Sequence, residues 1–108
     1  MKDEIEKLYQ IILDRKKSPA ENSYTAYLFN EGLDKILKKC GEEMAETIIA
    51  SKNPDNSETV GEICDVIYHV LVLMAELGIS TDDVLAVLSE RNAKMGNLKE
   101  KHQSDHLS

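Results

Sequence analysis

Apolar residues recur at three- and four-residue steps along most of this chain, and four to five helices account for them. Ile5, Leu8, Tyr9 and Ile12 line one side of residues 3–16, the pattern of an amphipathic helix. Ser18-Pro19 ends that helix, because the residue before a proline is pushed out of helical geometry. Residues 20–32 are less regular: Ser23 can cap a short helix through Phe29, with Gly32 as its stop. Residues 33–52 carry the strongest pattern. Leu33, Ile36, Leu37, Cys40, Met44, Thr47 and Ile48 share one stripe, and Glu42, Glu43 and Glu46 fall on the opposite face or its shoulder at about 100° per residue. This periodicity predicts a packing side and a carboxylate side, closed by the turn formers Asn53-Pro54-Asp55-Asn56-Ser57.

Residues 58–77 read differently. Glu58, Glu62, Asp65, His69 and Glu76 form one polar stripe, and nearly everything else from Val60 onward is apolar. A helix apolar on most sides must be buried on most sides. In so short a chain that predicts a subunit interface as well as a core, and hence a homodimer with this helix near the two-fold axis. Gly78 supplies the stop, and Ser80 with Asp83 forms a capping box for a last helix running towards Met95. From residue 96 to 108 the chain is polar and unpatterned. The expectation is an all-α domain over residues 1–95, a bundle of four to five helices completed by dimerisation, and a polar tail.

A chain of 108 residues suits one domain, and its net charge of −7 speaks against nucleic acid or an anionic membrane as the main partner. The charged start Met1-Lys2-Asp3-Glu4 is no signal peptide, and the apolar run from Val66 to Ala75 is too short to span a bilayer, so a cytoplasmic location is expected. Cys40 and Cys64 lack paired metal spacing. They read as two buried free thiols, with a disulfide as the second option.

The chemistry lies in two carboxylate clusters, Glu42-Glu43-x-x-Glu46 and Glu62-x-x-Asp65. Residues three and four apart share a helix face, so Glu43 and Glu46 converge on one stripe and Glu62 and Asp65 on another. The first cluster alone is also explained by a solvated face, with Lys38 and Lys39 four residues before Glu42 and Glu43. Glu62 and Asp65 interrupt an apolar helix, where carboxylates are seldom buried unless paired or bound to metal. Together the clusters favour Mg²⁺, which takes oxygen ligands shared with substrate phosphates. No P-loop or Gly-rich phosphate cradle is present, so phosphates fall to the metal, to helix N-termini or to lysines such as Lys35, Lys39 and Lys52. His69, one turn beyond Asp65, is either a hydrogen-bonded histidine at the core edge or a substrate contact.

On these motifs the chain resembles the all-α, MazG-like nucleoside-triphosphate pyrophosphatases. Within them, Ser23-Tyr24-Thr25, Leu28-Phe29, the run Gly32-Leu33-Asp34-Lys35-Ile36-Leu37-Lys38-Lys39, Gly41-Glu42-Glu43, Ala50-Ser51-Lys52-Asn53 and Asp65-Val66-Ile67-Tyr68-His69 resemble the phosphoribosyl-ATP pyrophosphatases of histidine biosynthesis. Met44 and Gly61 are mild departures, and neither removes a ligand. The resemblance implies Mg²⁺-dependent hydrolysis of the α–β phosphoanhydride of phosphoribosyl-ATP, with Glu43, Glu46, Glu62 and Asp65 as metal ligands. Glu42 is then a further ligand or the base that orients water, and Asn53 joins Lys35, Lys39, Lys52 and His69 as candidate substrate contacts. Two rivals remain: a housecleaning pyrophosphatase for other nucleotides, and a non-catalytic acidic helical interaction module.

Overall fold

Five helices and no strand make up the described part of the protein, which in this computed structural model covers residues 2–96, with side chains from residue 4 onward. They are α1 (Lys2–Lys17), α2 (Tyr24–Glu31), α3 (Leu33–Ala50), α4 (Ser57–Leu77) and α5 (Thr81–Gly96). The polar tail expected over residues 97–108 lies outside the described residues. The chain divides into two compact units, Met1–Gly78 and Ile79–Ser108.

The first unit holds α1 to α4. Arg15, Lys16 and Lys17 occupy the last turn of α1, where positive charge suits the negative end of the helix dipole. Ser23 caps α2 by accepting a hydrogen bond from Ala26 N–H at 3.1 Å. Gly32 ends α2 and begins α3 at φ 96° and ψ −175°, a conformation open essentially to glycine alone. Its N–H bonds to Leu28 C=O while its own C=O accepts from Ile36 N–H, so a single residue links two helices. α3 stops at Ala50, two residues before the spacing predicts. There Lys52 and Asn53 N–H turn back to the Ile49 and Ala50 carbonyls in i→i+3 bonds, and Ser51 Oγ donates to Ile48 C=O. Gly78 closes α4 in the left-handed region at φ 76°.

α3 and α4 share the most extensive packing of the bundle. The core comprises Tyr9 and Ile12 from α1, Leu28 from α2, Ile36 and Ala50 from α3, and Leu71, Val72, Met74 and Ala75 from α4. Lys16 ties α1 to the end of α4, its Nζ donating to Ala75 C=O at 2.7 Å.

Two expectations are corrected here. Only one edge of the expected α3 stripe packs inward: Ile36 is buried and Cys40 and Thr47 half-buried, while Leu33, Leu37, Met44 and Ile48 are exposed in the single chain, and Glu43 and Ala50 join Ile36 as the buried residues. A carboxylate therefore sits on the face turned to the core, because the helix follows its partner α4 and not its own apolar average. The second correction concerns the thiols. Both cysteines are free, but Cys64 is exposed and Cys40 only half-buried, since Cys64 shares the outer surface of α4 with Val60 and Ile63.

The second unit holds α5. Its start is the reciprocal capping box expected from the sequence: Asp83 N–H donates to Ser80 Oγ and Ser80 N–H to Asp83 Oδ2, both at 3.0 Å. α5 buries none of its residues in the single chain; Val84, Leu85, Val87 and Leu88 stay exposed.

Candidate active site

Packing α3 on α4 brings the two carboxylate clusters together. Glu43 from α3 and Glu62 and Asp65 from α4 each present an oxygen such that all three atoms lie within 4.8 Å of one another. Glu43 is buried, Glu62 half-buried and Asp65 exposed, so the group runs from the helix interface out to solvent. Glu62 Oε1 is itself buried with no hydrogen-bond partner in the protein. Loss of solvation, followed by the charges of Glu46, Asp65, Glu43 and Glu58, raises the Glu62 carboxyl above the ordinary glutamate range. An orphaned carboxylate oxygen among like charges is a costly arrangement for the protein alone, and an all-oxygen donor set suits a hard cation such as Mg²⁺.

The other expected residues fall around this group. Glu46 is not one of the three. It lines an adjoining groove of about 260 Å³ with Ile49, Ala50, Asn53, Glu58 and Glu62. Glu42 is turned to Lys39, whose Nζ stands 3.3 Å from Glu42 Oε1 and 3.5 Å from Glu43 Oε2. Burial pulls the Lys39 pKa down, but the hydrogen bond to Glu42 and the charges of Tyr24, Glu42 and Glu43 outweigh it and hold the ammonium above its usual value. Lys39 is thus a built-in counter-ion at the rim of the cluster. Lys35 lies over the Tyr27 ring at 5.8 Å, a cation–π contact. Asn53 Nδ2 donates to Glu58 Oε1 at 2.7 Å, and Lys52 is exposed on the turn after α3.

His69 is buried, and both ring nitrogens are engaged. Nδ1 lies 2.8 Å from Asp65 C=O and Nε2 3.0 Å from Tyr24 Oη. Its own carbonyl accepts from Cys40 Sγ across the α3–α4 contact. Reasoning from periodicity missed the aromatic partners of this histidine. Tyr24 and Tyr68 stack with centroids 6.2 Å apart, and the Tyr68 hydroxyl bonds to Thr25 Oγ1. Burial raises the Tyr68 phenol pKa, and the hydrogen bond with Thr25 opposes it. The available signal was that Ser23-Tyr24-Thr25 and Tyr68-His69 both lie in the segments that carry the family resemblance.

Comparison with known proteins agrees with that resemblance. The family model described as phosphoribosyl-ATP pyrophosphohydrolase matches residues 5–92. A protein of Clostridium novyi (strain NT) named phosphoribosyl-ATP pyrophosphatase is 53% identical over 97 residues, spanning 90% of this chain and 88% of its own length. A protein of the same name from Bacillus cereus (strain AH187) is 49% identical over 107 residues, spanning 99% of this chain and all of its own, at 100%. Another from Streptococcus thermophilus is 50% identical over 99 residues, or 92% of this chain and 95% of its own.

Proposed function

This chain belongs to the phosphoribosyl-ATP pyrophosphohydrolase family, and from that premise we propose that it hydrolyses phosphoribosyl-ATP to phosphoribosyl-AMP and pyrophosphate, a cytoplasmic step of histidine biosynthesis. Water adds across the α–β anhydride, the bridging P–O–P bond breaks, and a proton is released. The observation that carries the reading is the convergence of Glu43, Glu62 and Asp65 around an orphaned Glu62 oxygen. Those three residues, with Glu46 from the adjoining groove, are the proposed holders of Mg²⁺. Bound there, Mg²⁺ would neutralise triphosphate charge and stabilise the charge that develops in the transition state.

The remaining roles follow from chemistry and position. Glu42 stands outside the three-carboxylate group, beside Lys39. It is the proposed base, its carboxylate orienting water and accepting a proton. Lys39, Lys35 and Lys52 supply positive charge for phosphate oxygens, and Asn53 can offer amide donors once released from Glu58. His69 acts on the substrate through Tyr24 and not by direct contact, because both of its nitrogens are already engaged.

The proposed working form is a homodimer. Leu37, Met44 and Ile48 on α3, and Val60, Ile63 and Val70 on α4, leave more apolar surface exposed than one chain needs for its core. Among the described residues no single helix is long and apolar enough to cross a membrane. The deciding experiment is pyrophosphate release from phosphoribosyl-ATP with and without Mg²⁺. Turnover that requires Mg²⁺ and fails with ordinary nucleoside triphosphates supports the reading. Turnover of those triphosphates with none of phosphoribosyl-ATP would replace it with a housecleaning activity.

A further inference from the structure

Tyr24 opens α2, and its side chain is held more tightly than a surface tyrosine needs to be. A backbone carbonyl can only accept, so the Asp65 carbonyl fixes the proton of His69 on Nδ1. In the neutral ring Nε2 is then an acceptor, and the Tyr24 hydroxyl donates to it at 3.0 Å. The imidazole also meets the Tyr24 ring edge-on, with centroids 5.8 Å apart. This line of contacts starts from the main chain of Asp65, one of the three converging carboxylate residues, and ends at a tyrosine that remains 44% exposed as a residue.

The surroundings of that ring have the chemistry of a nucleotide site. Tyr27 lies roughly parallel to Tyr24 at 6.1 Å and is equally exposed, with the Lys35 ammonium over it. Lys39 and Glu43 are close enough for their charges to act on the Tyr24 phenol, whose pKa burial raises and Lys39 lowers. Partly exposed tyrosines, with Tyr68 stacked against Tyr24 as well, thus border the ammonium groups and carboxylates that the proposed reaction assigns to phosphates and metal. Every purine has a π-face, and stacking on an aromatic side chain asks for a ring held in a fixed plane.

We infer that Tyr24 is the platform for the purine ring of the substrate and that His69 is a positioning residue which sets the plane of that platform. This rests on the hydrolase reading for the substrate's identity, but concerns base binding and not the chemical step. It also separates the site into a base end, at Tyr24 and Tyr27, and a pyrophosphate end, at the carboxylates.

The test compares wild type with Tyr24→Leu, Tyr24→Phe, His69→Gln and His69→Leu, checking helicity and oligomeric state first. Steady-state turnover of phosphoribosyl-ATP and calorimetric binding of phosphoribosyl-AMP and of Mg²⁺-pyrophosphate are the readouts. Loss of a base-stacking ring weakens binding by roughly five- to a hundredfold. Tyr24→Leu should therefore raise KM about tenfold, change kcat less than threefold, and weaken phosphoribosyl-AMP but not pyrophosphate. Tyr24→Phe keeps the ring and loses the anchor, so a rise in KM of about threefold is expected. His69→Leu should match it, and His69→Gln, which keeps an acceptor, should lie nearer wild type. Equal weakening of both products, a loss confined to kcat, or a change of oligomeric state in Tyr24→Leu would overturn the inference. If wild type does not turn over phosphoribosyl-ATP, the activity reading fails separately. Tyr24-dependent binding of phosphoribosyl-AMP would then still support the platform, and its absence would remove it.

Discussion

On one face of α3, Ile36, Glu43 and Ala50 are buried; on the other, Leu37, Met44 and Ile48 are 47%, 49% and 59% exposed. A helix selected only to stabilise a single chain would do the opposite, since burying a carboxylate is costly and burying isoleucine or methionine is favourable. The contrast shows that the inner face is organised around the carboxylates it shares with α4. The outer apolar face waits for cover from something beyond the chain. A second copy is the occupant proposed above.

Changing the carboxylate face should have the largest effect. Asp65→Asn removes a charge from the exposed rim of the cluster and is expected to keep the fold while lowering Mg²⁺-dependent turnover on the order of 10³-fold, equivalent to about 4 kcal/mol. Circular dichroism and pyrophosphate release check this together, and near-normal turnover would take Asp65 out of the ligand set. The next contrast sets the two faces against each other. Ile36→Ala hollows out a fully buried site and should cost about 2–5 kcal/mol at any protein concentration. Ile48→Ala should cost less, and its cost should grow with protein concentration if this face is covered by a second chain. Urea denaturation at two concentrations measures both, and parallel behaviour would erase the distinction between the faces.

A smaller effect concerns pH. The folded pKa of Glu62 is raised above its unfolded value, so the native state takes up a proton more readily than the unfolded chain. Its contribution is most favourable below the unfolded pKa, declines as pH rises through the unfolded and then the folded value, and levels off above both. A bound divalent ion favours the ionised form and stabilises the native state by mass action. Mg²⁺ at ten times its Kd should raise Tm by roughly 5–10 °C near neutral pH and by much less at pH 4. Without Mg²⁺, Glu62→Gln should flatten the decline. An equal Mg²⁺ effect at both pH values would mean that the ion acts elsewhere. The smallest effect belongs to the second unit: Ser80→Ala removes one half of the capping box and should cost about 1 kcal/mol in thermal denaturation, with turnover per folded molecule unchanged.

The helices were legible in the sequence because their ends are written in local chemistry. Ser23, Gly32, Gly78 and the Ser80–Asp83 pair each act through their own backbone geometry or a bond to a residue close by. That Glu43 shares a helix face with Glu46, and Glu62 with Asp65, was legible too, because helical spacing fixes it; the packing of α3 on α4 then brings Glu43, but not Glu46, into one group with Glu62 and Asp65. Which side of α3 turns inward was not legible. Hydrophobic periodicity reports that a stripe will be covered and does not say by what, so Leu37, Met44 and Ile48 read as core when this chain leaves them open. The Tyr24–His69 bond was also beyond reach. Its partners are 45 residues apart, and no local pattern encodes a tertiary hydrogen bond.

The tyrosines carry a consequence of a different kind. The chain contains four tyrosines and no tryptophan. Tyr24, Tyr27 and Tyr68 stand together beside the carboxylate cluster, and Tyr9 is buried in the core as part of α1. With no indole to dominate near-ultraviolet absorption or emission, the protein's aromatic spectrum is largely the spectrum of this one neighbourhood. Near-ultraviolet dichroism should therefore report occupancy of the cleft without a label, and any change in tyrosine emission on adding ligand can be assigned to a known handful of rings.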